Sequence, residues 1–204
     1  MATLSSARAR QYLQKYNALR ENGHFVYTSG KHGDTYLNKD AILPHTAVVR
    51  EICEHIAHNF RVAGAEAVIG PVAGGVVLAQ STAHFLSELT GKEVLAVYAD
   101  KRKTEGEFII RRGYDELIRG KKLLVVDDVI NQGNSLRGLL RETERIGCDV
   151  VGIGCLCNRY DRTAQDFGVP ELYAYIDFKL NIYEPGECPL CKAGIPLSKG
   201  LGHA

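Results

Sequence analysis

The chain has 204 residues, with 25 Lys and Arg against 24 Asp and Glu, so its formal charge of +1 excludes a general attraction to nucleic acid or to an acidic membrane. Hydrophobic residues make up 45% of it, which supports a full core in one domain of this length. No apolar run approaches the roughly 20 residues needed to span a bilayer, the first residues lack the apolar stretch of a secretion signal, and six scattered cysteines fit a reduced, cytoplasmic protein.

Ala9, Tyr12, Leu13, Tyr16 and Leu19 recur at helical spacing. They predict a first amphipathic helix, capped by Ser5 or Ser6 and closed by Gly23. Phe25-Val26-Tyr27 and Tyr36-Leu37-Asn38 read as two short strands around the polar turn Ser29-Gly30-Lys31-His32-Gly33. Pro44 suits a helix start, and Val48, Val49, Ile52, Ile56 and Phe60 mark the buried face of the helix that follows. Ala67-Val68-Ile69 reads as a buried strand. The turn Gly70-Pro71-Val72-Ala73-Gly74-Gly75 comes next, with a helix from near Val76. Glycines between strand and helix let an anion approach the backbone.

Glu93 to Tyr98 is the next predicted strand, and the basic cluster Lys101, Arg102 and Lys103 follows its carboxyl end. Open α/β sheets bind ligands at such ends. Apolar and charged residues alternate from Glu107 to Arg112 and predict a hairpin. The segment Leu123 to Val126 is an apolar run that reads as a strand buried on both faces. Asp127 and Asp128 follow at once, then Val129-Ile130, a polar turn containing Gly133, and a helical pattern from Leu136 to Ile146. Unpaired N–H groups at the start of such a helix attract an anion, and Asn131, Asn134 and Ser135 can cap it. The two acids suit hydroxyl groups, or a metal shared with phosphate. Val150 to Cys157 is a further buried strand ending at Asn158-Arg159, and Leu172 to Ile176 is the last.

The tail, residues 181–204, is rich in Gly and Pro and reads as irregular. Cys188 and Cys191 form one Cys-x-x-Cys knuckle, but structural zinc needs four ligands. Cys155 and Cys157 could offer two more, yet Cys-x-Cys is not the usual second knuckle. The tail is therefore read as metal-free, and no protein metal site is expected.

The stretch from Leu123 through Asp127-Asp128-Val129-Ile130 to Gly133 and Ser135 resembles the signature of the type I phosphoribosyltransferases, which bind 5-phosphoribosyl-1-pyrophosphate (PRPP). Asn131, Gln132 and Asn134 stand where that family usually has Thr, Ala or Gly. The pattern Phe25, Ser29-Gly30-Lys31, Tyr36 after an N-terminal helix resembles the hood of the orotate phosphoribosyltransferases, which more often have a basic residue at the position of Thr28.

This resemblance implies an α/β fold with a mainly parallel twisted sheet flanked by helices, and an N-terminal helix and hairpin hood. It divides the chain into a hood (1–43), a PRPP-binding core (44–180) and the tail. It implies phosphoribosyl transfer from PRPP to orotate, a step of pyrimidine nucleotide biosynthesis, with Mg²⁺ as cofactor. Asp127 and Asp128 would hold the ribose hydroxyls. Asn131, Gln132, Gly133, Asn134 and Ser135 would cradle the 5-phosphate, and Gly74 and Gly75 the pyrophosphate. Lys101, Arg102 and Lys103 would form a mobile loop that closes on the leaving group across a homodimer. Phe25, Lys31 and Tyr36 would cover the base, and Arg159 would pair with its carboxylate. The resemblance implies neither a nucleic-acid nor a membrane partner. Three other readings stay open on the residues: transfer to a purine base, a non-enzymatic PRPP-binding regulator, and a generic nucleotide-binding module, which would leave the Asp pair unexplained.

Overall fold

The computed structural model describes residues 5–27, 29–104, 106–177 and 180–198. They fall into two units: the chain up to Pro44 together with its last segment from Phe178, and His45–Asp177. The tail thus groups with the hood.

In the first unit, α1 (Ser5–Lys15) buries Ala9 and Leu13. It stops earlier than the periodicity predicts, because Asn17 takes a left-handed φ of 52° and turns the chain. Leu19 therefore leaves the helix and enters β1 (Leu19–Arg20). Three more two-residue strands follow: β2 (Phe25–Val26), β3 (His32–Gly33) and β4 (Tyr36–Leu37). The expected partnership of β2 with β4 is not formed. Tyr27 donates to the Lys31 carbonyl, and Gly30, at φ 76°, donates to the Tyr27 carbonyl. This tight turn sets Val26 opposite His32, so β2 pairs with β3. Leu37 is left to pair with Leu19 of β1. Thr28, singled out in the sequence, lies outside the described residues.

The second unit is a wound α/β sheet. Its elements are α2 (Thr46–Phe60), β5 (Ala67–Pro71), α3 (Gly74–Thr90), β6 (Leu95–Lys101), β7 (Phe108–Ile109), α4 (Tyr114–Ile118), β8 (Lys122–Ile130), α5 (Asn134–Ile146), β9 (Asp149–Asn158) and β10 (Leu172–Asp177). The sheet order is β10-β9-β8-β5-β6-β7, parallel throughout except for β7. The central strands read as near-continuous apolar runs because helices cover both faces. Ile69, Leu123, Val125, Ile153 and Cys155 are fully buried. From β5 the chain winds through α3 to β6 on one side; from β8 it winds through α5 to β9 on the other. The order reverses between β5 and β8, and ligands of such sheets bind in the crevice at the carboxyl ends of strands there. No helix among the described residues is long and apolar enough to cross a membrane.

The final segment is less irregular than its composition implies. A strand β11 (Ile182–Tyr183) pairs antiparallel with β3 and gives a three-stranded order β11-β3-β2. It is followed by a 3-10 turn and by α6 (Pro189–Lys192).

Candidate active site

The switch point between β5 and β8 carries the two stretches that the sequence marks. β8 does not end before the acids, as the apolar run suggests; it runs on to Ile130, with Asp127 in register with Cys155 of β9. Pairing with β9 alone, since the ladder with β5 stops at Val125, overrides the weak strand preference of Asp. The two carboxylates are therefore held by a rigid strand, each residue only 8% exposed. Asp127 Oδ1 accepts the Asp128 N–H at 2.8 Å. Successive strand residues face opposite sides of a sheet, and on its side the Asp128 carboxylate meets the first residue of α3. A Cβ added at Gly74 would overlap that carboxylate, with Asp128 Cγ 2.8 Å away. The glycine turn after β5 and the acidic pair of β8 thus form one crevice. The Val72–Ala73 peptide in this turn is cis, and Val72 N–H donates to the Ala99 carbonyl of β6 at 3.1 Å.

α5 begins at Asn134, two residues earlier than predicted, and Gly133 at φ 85° is its N-cap, with no side chain capping the helix. The expected capping by Asn131, Asn134 or Ser135 is thus not made: Asn134 and Ser135 lie inside the first turn, where their amides lack helical acceptors. Two residues that the local pattern does not mark hold this loop. Arg137 Nη1 donates to the Gln132 carbonyl at 2.7 Å, and its guanidinium lies over the Phe167 ring at 5.2 Å. Phe167 in turn would stand 2.6 Å from a Cβ at Gly133. Gln132 therefore contributes its backbone to the loop geometry.

The basic cluster begins at Lys101, the last residue of β6, and continues past the strand's carboxyl end. Asp100 and Lys101 pair with Ile109 and Phe108 of β7, and Arg102 N–H donates to the Glu107 carbonyl at 2.9 Å. The segment is thus a hairpin of β6 and β7, and it starts earlier than the alternation from Glu107 to Arg112 predicts. Its tip rests on α5, where a Cβ at Gly138 would overlap the Gly106 carbonyl. Lys101, Arg102 and Lys103 are all exposed.

Arg159 stands just past the carboxyl end of β9. Its N–H donates to the Ile130 carbonyl at 2.9 Å, and its Nη1 donates to Asn131 Oδ1 at 3.4 Å. The structure so joins Arg159 to the loop that follows the acidic pair. Cys155 and Cys157 lie fully buried in the same strand. Burial lifts the Cys155 thiol well above its usual range and pushes Cys157 up to about 12, so neither is a thiolate nucleophile at neutral pH.

In the first unit, Phe25 is 3% exposed and packs on Tyr36 at 5.6 Å between ring centroids. Lys31 Nζ pairs with Glu184 at 2.7 Å. These hood residues thus have partners within their own unit.

An acidic pair and two glycine-bearing helix starts thus lie at the switch point, with a basic hairpin at the β6–β7 edge, a set of groups whose chemistry suits a phosphorylated, hydroxyl-rich ligand. The phosphoribosyl transferase domain matches residues 38–173, and the chain belongs to that family. It is 35% identical over 177 residues to the orotate phosphoribosyltransferase of Caldanaerobacter subterraneus, covering 87% of each chain. It is 33% identical over 175 residues to that of Chlorobium phaeobacteroides, covering 86% of this chain and 85% of the other. Among solved structures, a phosphoribosyltransferase from Corynebacterium diphtheriae superposes with a TM-score of 0.64 at 23% identity, over 86% of this chain and 96% of that one, a likeness of fold.

Proposed function

We propose that the protein transfers the phosphoribosyl group of PRPP to orotate. The observation that carries the reading is the meeting of Asp128 with Gly74 at the β5–β8 switch point, which joins a hydroxyl-binding pair to an anion-binding turn. Its relatives' shared name and Arg159, beside that loop, select orotate among the bases.

In the reaction, a ring nitrogen of orotate gives up its proton to solvent and bonds to C1 of the ribose. The bond from C1 to the pyrophosphate oxygen breaks, and its electron pair leaves with pyrophosphate. The products are orotidine 5'-monophosphate and pyrophosphate. Asp127 and Asp128 accept hydrogen bonds from the ribose hydroxyls. The amides of the Asn131–Ser135 turn hold the 5-phosphate, and those of Gly74 and Gly75 the pyrophosphate. Lys101, Arg102 and Lys103 meet negative charge as it grows on the leaving group, the kind of stabilisation that lowers a barrier. We assign this hairpin to the neighbouring site of a cytoplasmic homodimer. Arg159 forms a planar fork for the orotate carboxylate. Phe25, Lys31 and Tyr36 enter as base-covering residues through the family pattern alone.

Two buried carboxylates beside a backbone anion turn are a hard-oxygen donor set, which suits Mg²⁺ shared with substrate oxygens. Substrate oxygens would supply most of its ligands, with the Asp127–Asp128 pair beside them, and when bound it would neutralise charge on the pyrophosphate.

The test is pyrophosphate release from PRPP and Mg²⁺ with orotate, uracil, adenine, hypoxanthine or guanine. Turnover with orotate alone is expected. Turnover with a purine and none with orotate moves the protein to another branch of the family. Binding of PRPP without turnover on any base makes it a regulator.

A further inference from the structure

The Cys188–Cys191 knuckle is not alone in its unit. His24 precedes β2, His32 lies in β3, and the four ligand atoms of His24, His32, Cys188 and Cys191 all lie within 4.8 Å of one another. Their separations can be compared with those around a metal ion. Tetrahedral zinc with the usual bond lengths places two nitrogens about 3.3 Å apart, nitrogen and sulfur about 3.6 Å, and two sulfurs about 3.8 Å. Here His24 Nε2 is 3.0 Å from His32 Nδ1, 3.7 Å from Cys188 Sγ and 3.6 Å from Cys191 Sγ. Cys191 Sγ is 3.3 Å from His32 Nδ1. Four contacts between ligand atoms thus fall near the edges of one coordination tetrahedron.

The surroundings also fit. His24 is 2% exposed, and its Nδ1 lies 2.7 Å from the Ile195 carbonyl. A proton on Nδ1 donates to that carbonyl and leaves Nε2 with its lone pair aimed at the cluster, the arrangement that orients metal-bound histidines. The knuckle is folded for the purpose: Lys192 N–H donates to the Cys188 carbonyl at 3.1 Å, and Gly194 N–H to that of Cys191 at 3.0 Å. His24 is fixed again by Ser198, whose N–H donates to its carbonyl at 2.7 Å and whose Oγ accepts its N–H at 3.2 Å. β11 brings the tail to the same strand, with Tyr183 opposite His32. All six cysteines are free thiols, so no disulfide occupies the pair.

We infer that His24, His32, Cys188 and Cys191 form a structural zinc site that ties the C-terminal knuckle to the hood hairpin. Two soft sulfurs and two imidazoles in tetrahedral array select zinc among common metals. On binding, the two thiols release two protons to water, and the neutral imidazoles coordinate through His24 Nε2 and His32 Nδ1. The charge of Zn²⁺ is then balanced by two thiolates. Four protein ligands leave no open position, so the ion holds structure and takes no part in phosphoribosyl transfer.

The test uses the full chain purified under reducing conditions without chelator. Elemental analysis should find about one zinc per chain, the ratio a four-ligand site requires. Cobalt in place of zinc should give the visible bands of a tetrahedral ion and a thiolate charge-transfer band. Cys191→Ser and His32→Ala should each cut zinc affinity at least about tenfold, while Cys148→Ser, outside the cluster, should retain the metal. The wild-type cobalt spectrum keeps the test open if a variant fails to fold. Reduced, metal-free chain that takes up no stoichiometric zinc, an octahedral cobalt spectrum, or a Cys188–Cys191 disulfide in place of metal would each overturn the assignment.

Discussion

Gly74 packs directly on the carboxylate of Asp128, so closely that any side chain at position 74 would occupy the space of the acid. The start of α3 and the end of β8 are thereby held at one distance by contact. Gly74→Ala should push Asp128 out of place and lower kcat/KM for PRPP at least about tenfold, equivalent to about 1.4 kcal/mol. Gly186→Ala, which meets nothing within 4 Å, should leave it unchanged. Steady-state kinetics with circular dichroism on both variants checks this. Wild-type kinetics for Gly74→Ala would mean that the crevice does not bind PRPP.

The acidic pair itself should tolerate amides structurally but not chemically. Asp127→Asn and Asp128→Asn preserve shape and remove charge. Each should weaken PRPP use by about 1.5–3 kcal/mol, the worth of a hydrogen bond to a charged group. For Asp127 a smaller part of the loss comes from the strand, because its Oδ1 already accepts the Asp128 N–H. Isothermal titration with PRPP and a melting curve separate the two effects. Unaltered affinity in both variants would remove the pair from the site.

The basic hairpin makes a kinetic prediction. Lys101→Ala and Lys103→Ala should lower kcat more than they raise the KM for PRPP, because the charge they meet grows during the reaction. Gly138→Ala should act in the same direction, since its methyl would displace the Gly106 carbonyl at the hairpin tip. Mixing a Lys101→Ala chain with an Asp127→Asn chain tests the partner arrangement. Recovered activity in demonstrably mixed dimers is expected, and none would confine the hairpin to its own subunit.

Glu142 ties α5 to the segment after β7. It is 6% exposed, and it accepts from Arg145 Nε at 2.7 Å and from Ile110 N–H at 3.2 Å. The Arg145 hydrogen bond, then the Ile110 amide, hold its carboxyl below the usual value against the opposing effect of burial. A depressed value in the folded state means that the stabilisation is complete above the unfolded glutamate value of roughly 4.3. It is lost as pH falls through the folded value. Glu142→Gln should therefore destabilise the protein by about 1–2 kcal/mol at pH 7, with a smaller difference from wild type in acid. Urea melts at neutral and acidic pH measure it, and an equal deficit at both would deny the charge its role.

The parts of this fold legible in the sequence are those fixed by local pattern. The buried strands β5, β8 and β9 announce themselves because both faces are covered, and α2 because its apolar residues keep one face. The extent of β8 was hidden, since two aspartates in a strand interior defy local preference and only pairing with β9 holds them. The exchange of partners in the hood depends on one left-handed residue, Asn17, and on the turn at Gly30. The His24–Cys188 and His32–Cys191 approaches join residues 164 and 159 positions apart, a distance no local pattern encodes. One clue was available: Gly138 sits inside a helix, where glycine costs about 1 kcal/mol relative to alanine, and such a residue marks a close approach.

Arg159 is held beside the end of β8 by its N–H, which donates to the Ile130 carbonyl, and by its guanidinium, which donates to Asn131 Oδ1. A fork so placed can take a planar carboxylate with two parallel hydrogen bonds, which a lysine cannot reproduce. Arg159→Lys should therefore raise the KM for orotate at least about tenfold, while the KM for PRPP changes little. Asn131→Ala removes an orienting contact without removing the fork, so its effect should be smaller and again confined to orotate. Uracil, which lacks the carboxylate, should be a poor substrate for the wild type, because it would leave the guanidinium without its anion. Arg159→Ala should narrow the gap between orotate and uracil by harming orotate alone. If that variant instead loses PRPP binding while its preference for orotate over uracil persists, Arg159 supports the phosphate loop and the carboxylate is read elsewhere.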